Sequence, residues 1–551
     1  MAYTLGLDFG TLSGRAVLVD TRDGREVASA VMDYPHGVMD RTLAATGAPL
    51  PPDFALQDPA DYLTVLSHIV PDVIGKAGIS PADVAGLCID FTCCTLIPLG
   101  KNGAPLSFDP AFAAEPHAYV KLWKHHAAAP YAEKMTAVAK ERGEAFLSRC
   151  GGALSSEWMF PKIYEVLDKA PAVYAAADSF IEAGDWLTAE LTGRSVRDYT
   201  ITAFKGEYDE NTGFPAEDFF AAVDARLAHV VRDKVREPVA PAGTLVGRVT
   251  KEAAARFGLA AGTPVAAAMP DGHVSVAACD VTGEGDMMLV LGTSGSFYLL
   301  DRQEKYVPGI CGVQPNAVLP GFYVYESGLC CYGDHFAYAA ERLLSEKIVR
   351  EAEERGVAPI ALLTEKAAKK EPGQSGLIAL NWFNGNRNTL ADSELSGLFL
   401  GMTLSTMPED YLRALFEATA FGIRVIVENF QAHGLAVRRM IAGGGIARKN
   451  PLVMQILADV LEREIRISET AQAPAVGSAV MAAAAAGLYP DVGAAVHAMS
   501  RVDEKVYRPD PAHVPVYRRL YAEYCRLYDY FGRGGNDVMK TLRRIARGGE
   551  A

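Results

Sequence analysis

Leu5-Gly-Leu-Asp-Phe-Gly-Thr-Leu-Ser-Gly-Arg-Ala-Val-Leu-Val-Asp20 is the stretch on which the reading of the fold turns. Apolar residues flank its glycines, which predicts two strands, at 4–9 and 15–20, joined by a tight loop. The loop gathers backbone N–H groups, the hydroxyl of Thr11 and the carboxylate of Asp8 in one small space. That set suits a phosphate with its metal ion, although an ordinary hairpin would carry the same pattern. An echo later in the chain favours the phosphate. In Met287-Met-Leu-Val-Leu-Gly-Thr-Ser-Gly-Ser-Phe-Tyr-Leu-Leu-Asp301, a short apolar run again meets Gly-Thr, then Ser-Gly, then a second apolar run ending in Asp. Such self-similarity implies two related domains, each presenting a Gly-Thr hairpin. A polyphosphate between them would be clamped from two sides.

At 551 residues the chain is too long for a single core and implies two or three domains. Half of it is hydrophobic and 22% charged, a globular composition. A net charge of −14 argues against a general nucleic-acid binder. It leaves room for an anionic nucleotide, because local amides can dominate a site. The nine cysteines show no C-x-x-C spacing, and two pairs (Cys93-Cys94, Cys330-Cys331) are vicinal, which fits reduced thiols better than zinc or disulfides. Asp8 interrupts the first apolar run and no basic region precedes it, so no secretory signal is expected. The Ala- and Gly-rich run 473–488 is short for a bilayer span. The expectation is a cytoplasmic protein without membrane or nucleic-acid partners; a homo-oligomer is left open.

Along the chain, 26–34 predicts a third strand, and Asp58-Pro59 starts a helix that stops near Gly78. A buried strand at 84–90 runs into the polar cluster Asp90-Phe-Thr-Cys-Cys-Thr95. Loops at strand C-termini bind ligands in open α/β sheets, so this segment is either half a substrate pocket or a plain turn. Lys121-Leu-Trp-Lys-His-His126 predicts a solvated or pocket-rim segment, since adjacent histidines diverge and do not share a metal. Ser155–Lys162 and Gly184–Gly193 predict helix starts with buried tryptophans. Pro238, Pro241 and Gly243 mark a composition shift that places the domain boundary near 258–262, dividing the chain into 1–260 and 261–551. The strand-to-helix stretch Val265–His273 follows, with Asp271 as either an N-cap or a poised carboxylate. A βαβα run then predicts a long helix from Pro408, a strand at 437–441, Gly443-Gly-Gly445, a helix capped by Asn450, a strand at 464–468 and a helix at 474–487. Glycines between strand and helix let a nucleotide approach the backbone.

Competing motifs fail. There is no G-x-x-x-x-G-K-[ST]; Gly443–Arg448 misses the last glycine of G-x-G-x-x-G; and Gly292–Ser296 ends in Ser where the G-x-S-x-G elbow needs Gly. No metal-ligand cluster stands out, so the expected metal is Mg²⁺ arriving with ATP.

Taken in order, these stretches resemble the FGGY carbohydrate kinases over nearly the whole chain. The opening Leu-Asp-Phe-Gly-Thr-x-Ser-x-Arg loop resembles that family's first phosphate motif. Leu122–His126 and Asp185–Gly193 fit its N-terminal domain; Pro270-Asp-Gly272, Gly292-Thr-Ser294 and Ala442–Asn450 fit its C-terminal one. Ser155–Trp158, Asn381–Arg387 and Gly443–Asn450 look most like the ribulokinase branch. The resemblance implies two ribonuclease H-like α/β domains of the actin/Hsp70/sugar-kinase type. Their mixed sheets are flanked by helices, and ATP and sugar meet in the cleft between them.

It further implies that Asp271 is the general base and that Asp8 holds Mg²⁺. Thr11 and Arg15 would form the first phosphate loop, and Gly292 and Thr293 the second. Gly444, Gly445 and Asn450 would pack on adenosine. Cys93, Lys205, Asp271 and Glu326 would bind the sugar; without the resemblance, Lys205 and Glu326 read as solvated surface charges. His125 stands where many relatives carry Asp, and Thr389 where many carry Pro. The activity implied is ATP-dependent phosphorylation of L-ribulose at its C5 hydroxyl, a step of arabinose breakdown. Kinases for another pentulose or polyol, and a sugar-independent ATPase on the same fold, are the alternatives.

Overall fold

The computed structural model describes residues 2–546. Its two halves repeat one topology. In the first seven-stranded sheet, Tyr3–Phe9 pairs antiparallel with Ser13–Asp20, which pairs antiparallel with Glu26–Asp33. On its other side Tyr3–Phe9 pairs parallel with Val84–Phe91, and Pro264–Ala266 and Met269–Pro270 join that strand in parallel. In the second seven-stranded sheet, Asp286–Leu291 takes the central place. It is antiparallel to Gly295–Asp301, which pairs antiparallel with Tyr323–Leu329, and parallel to Arg439–Gly443, followed by Ile465–Ser468. The two Gly-Thr hairpins are therefore equivalent turns of a duplicated sheet, as the echo in the sequence predicts.

The local chemistry explains the helices over these sheets. Pro59–Ala77 begins where Asp58 accepts the Ala60 N–H at 2.9 Å and ends at Gly78, whose φ of 65° only glycine adopts cheaply. Its buried face, Tyr62, Leu66, Ile69 and Val73, recurs at helical spacing and covers the first sheet. Pro408–Ala432 is its counterpart on the second sheet.

The first sheet runs past residue 260. Pro264–Ala266 and Met269–Pro270 hydrogen-bond to its centre, and the second sheet opens only at Asp286. The Pro/Gly-rich stretch at 236–263 itself supplies the edge strand Leu245–Arg248 of this sheet, antiparallel to Pro264–Ala266, and the helix Lys251–Phe257.

The Ala-rich helix Ala473–Ala485 belongs to the C-terminal half but packs on Tyr3–Phe9 and Val84–Phe91 of the first sheet. Its small residues are what permit this. A Cβ on Gly6 would lie 1.7 Å from the Ala475 carbonyl oxygen, and one on Gly477 2.0 Å from that of Val274. No helix among the described residues is long and apolar enough to cross a membrane, and all nine cysteines are free.

Candidate active site

Asp8 is the penultimate residue of the first strand, in register with Arg15 on one side and Asp90 on the other. Arg15 Nη1 donates to Asp8 Oδ2 at 3.4 Å. Burial raises both carboxyls above their ordinary range. Ser478, on the helix from the other half, donates to Asp90 Oδ2 at 2.7 Å, leaving Asp90 Oδ1 buried without a partner. The loop beyond is braced from behind. Tyr34 donates to the Gly10 carbonyl (2.9 Å), Gln57 to the Thr11 carbonyl (2.8 Å), and the Trp123 indole N–H to Thr11 Oγ1 (3.1 Å). The Thr11 hydroxyl accepts, so its own proton is available to donate outward.

The second loop is held the same way. Gly333 N–H donates to the Gly292 carbonyl at 2.9 Å and Tyr332 N–H to that of Thr293 at 3.0 Å. Gly444 has a φ of 97°, and a Cβ there would sit 2.6 Å from the Leu291 carbonyl, so the glycine turn lies directly against this loop. Gly445 faces open space. Asn450 accepts the Val453 N–H at 3.2 Å and caps Pro451–Leu461. Beside Thr293 opens a cleft of about 640 Å³, lined by Asp334, His335, Tyr338, Phe383 and Asn384 among others. No stretch of sequence singled these residues out as a group.

Between the two loops the structure gathers Cys93, Lys205, Asp271 and Glu326. Lys205 ends the helix Tyr199–Lys205 of the first half, and Glu326 lies on Tyr323–Leu329 of the second. They meet at 2.6 Å (Nζ to Oε2), 6% and 8% exposed respectively. They are not the solvated charges that composition suggests. Burial is the largest influence on the ammonium and opposes it, but Glu326 and the neighbouring groups together hold Lys205 above its ordinary value; reciprocally, Lys205, with His273 and Arg387, holds Glu326 below its own against burial. Trp158 and Phe204 flank the ammonium at 5.4 and 5.5 Å.

Asp271 is the first residue of the short helix Asp271–Val274, and Pro270 occupies the N-cap position. Asp271 is therefore not the N-cap of this helix. Its Oδ1 accepts only the neighbouring Gly272 N–H, at 2.7 Å. Burial, reinforced by the charge of Asp8, raises its pKa to about 7. A Cβ on Gly272 would lie 2.2 Å from the Tyr298 hydroxyl, which roofs this turn. Cys93 follows the strand Val84–Phe91, and burial pushes its thiol up.

The polar cluster at 90–95 is a braced loop. Cys94 adopts a φ of 58°, unfavourable for a side-chain-bearing residue, and is held there by its surroundings. Lys162 Nζ donates to the Cys94 carbonyl (2.5 Å) and to that of Leu122 (2.9 Å), while Glu182 accepts the Thr95 N–H at 2.7 Å. The segment Lys121–His126 is correspondingly not solvated. His125 is fully buried, 2.9 Å from Glu165, and Lys121 sits 3.1 Å from the same carboxylate. A basic run looks like surface until its counter-charge, on a helix some forty residues on, is known. Only His126 of this group is exposed. Lys162, His273 and Tyr298 carry no role in the sequence reading. Their burial depends on partners distant in sequence, which no local pattern names.

The comparisons agree with this architecture. Residues 3–278 match the N-terminal domain, and 287–486 the C-terminal domain, of the FGGY family of carbohydrate kinases. The chain is 46% identical over 545 residues to a ribulokinase of Geobacillus thermodenitrificans, covering 98% of this chain and 96% of that protein. It is 45% identical over 538 residues to a ribulokinase of Bacillus licheniformis, covering 97% of each. Among solved structures, a xylulose kinase from Rhodospirillum rubrum is similar with a TM-score of 0.78 at 28% identity, covering 96% of this chain and 98% of that one. The expected fold, two sugar-kinase domains with mixed sheets, is the one found, and the chain belongs to the FGGY family of carbohydrate kinases.

Proposed function

We propose that the protein transfers the γ-phosphoryl group of ATP to the C5 hydroxyl of L-ribulose, forming L-ribulose 5-phosphate in arabinose breakdown. The observation that carries this reading is the buried Lys205–Glu326 pair, one residue from each half, beside the nearly unpartnered Asp271. Polyol recognition calls for such charge-assisted donors and acceptors in a dry cleft. The names of the full-length relatives supply the choice of ribulose.

Asp271 accepts the proton of the attacking hydroxyl; a carboxyl poised near neutrality suits a transfer that comes late in a loose transition state. Lys205 and Glu326 fix the remaining hydroxyls, and Cys93 closes the sugar side. Thr11 and Arg15 from one loop, and Gly292 and the hydroxyl and backbone of Thr293 from the other, grip the polyphosphate. Gly444 and Gly445 leave the backbone open to the nucleoside, whose base enters the neighbouring cleft, while Asn450 fixes the turn. Mg²⁺ fits this charge balance: Asp8, Asp90 and Asp271 outnumber Arg15, one buried Asp90 oxygen lacks a partner, and the ion takes most of its ligands from phosphate and water. Asp8 would hold the ion, which neutralises charge on the phosphoryl oxygens. Joining of the halves around the substrates excludes water and suppresses hydrolysis.

ADP release with L-ribulose, D-ribulose, D-xylulose and glycerol tests the proposal. L-ribulose should give the highest kcat/KM. Release that is independent of sugar, or highest with glycerol, would overturn it.

A further inference from the structure

His273 lies two residues beyond the proposed base and is 0% exposed. Its ring is held between Phe204 and Tyr298, with centroids at 4.6 and 4.7 Å. Neither ring nitrogen has a hydrogen-bond partner. Two unsatisfied polar atoms on a wholly buried side chain are rare and call for an explanation. Nε2 is aimed at Glu326 Oε2, 3.6 Å away, just beyond bonding distance. That same oxygen accepts from Lys205 Nζ at 2.6 Å.

Burial keeps the imidazole neutral at physiological pH, with its pKa lowered to about 4. It therefore has one N–H to give, and nothing else within reach takes it. The aromatic sandwich prevents the ring from swinging elsewhere, so a small rotation of the Glu326 carboxylate is enough to close the gap. Lys205 has the opposite freedom. Its ammonium lies over the rings of Trp158 and Phe204 and carries three donors, only one of them committed to a side chain in this arrangement.

We infer that His273 is a positioning residue for Glu326. When sugar hydroxyls draw the Lys205 donors away, Glu326 Oε2 passes to His273 Nε2–H, and the carboxylate keeps one orientation with its other oxygen turned to the sugar. The histidine thus serves as the reserve partner of a carboxylate that would otherwise be left buried and unpaired as the substrate binds. It selects for substrates with a hydroxyl set against that fixed acceptor.

This inference rests on Lys205 and Glu326 binding the sugar. Wild-type ADP release that depends on L-ribulose checks that reading separately. His273→Phe keeps an aromatic ring between Phe204 and Tyr298 and removes the donor; His273→Asn restores an N–H. The Phe variant should raise the KM for L-ribulose about tenfold, with kcat within about threefold and the KM for ATP unchanged. The Asn variant should recover a substantial part of that loss. A KM for the Phe variant within twofold of wild type, or equal losses in the Phe and Asn variants, would overturn the inference while leaving the kinase reading intact. Should the Phe variant not fold, ¹⁵N-histidine spectra of the full wild-type chain decide, with the His273 signal assigned by its loss in His273→Asn. L-ribulose should shift the Nε2 resonance and ATP alone should not; an unmoved signal at saturating sugar would refute the handover.

Discussion

Replacing Lys205 by Met tests the electrostatic heart of the site. The thioether fills the space against Trp158 and Phe204, so the change removes charge more than volume. What remains is Glu326, 8% exposed, without its 2.6 Å partner. Removing one member of a buried pair costs about 3–5 kcal/mol, because the surviving charge is uncompensated. That cost depends on pH with a definite sign. In the wild type Lys205 holds the Glu326 carboxyl below its ordinary value, so the pair stabilises above that value and the benefit fades as pH falls through the lowered one. In the variant burial, the largest influence on this carboxyl, is opposed only by His273 and Arg387 and raises it, so stability is lost as pH rises through the raised value. The urea midpoint of Lys205→Met should therefore fall further below wild type at pH 8 than at pH 5.5. Adding Glu326→Gln in the variant background should return most of the loss at pH 8. A deficit equal at both pH values, with nothing recovered by the second change, would refute the argument.

Two further outcomes follow from the same geometry. With Asp271 raised to about 7, kcat/KM for the sugar should climb roughly tenfold per pH unit below neutrality and level off above it, because only the ionised carboxyl accepts a proton; a flat profile from pH 5.5 to 8 would contradict this. Thr11→Val and Thr293→Val should each weaken ATP binding measured by calorimetry. Unchanged ATP affinity in both variants would count against the clamp.

The duplicated hairpins made the fold readable, because each is a local feature: two adjacent strands, a Gly-Thr turn, a terminal Asp. The helix Pro59–Ala77 was legible for the same reason, with cap, proline and glycine close together in sequence. The site was less so. Lys205 and Glu326 are 121 residues apart and on different halves, and a charge is buried only by virtue of a partner that no local pattern names. His125 and Lys121 looked solvated until Glu165 supplied their counter-charge. Asp271 followed an ordinary strand-to-helix pattern, and only the backbone placed Pro270 in the capping position. Proline and glycine near 260 mark turns between elements of one sheet, since Leu245–Arg248, Pro264–Ala266 and Met269–Pro270 all belong to the sheet of Val84–Phe91.

Asp271→Asn tests the central claim most directly. The substitution is nearly isosteric and retains a carbonyl oxygen to accept the Gly272 N–H. Loss of a general base removes about 10²- to 10⁴-fold of rate, roughly 3–5 kcal/mol of barrier. The variant should bind ATP with wild-type affinity while its kcat with L-ribulose falls within that range or below it. A turnover within threefold of wild type would contradict the account.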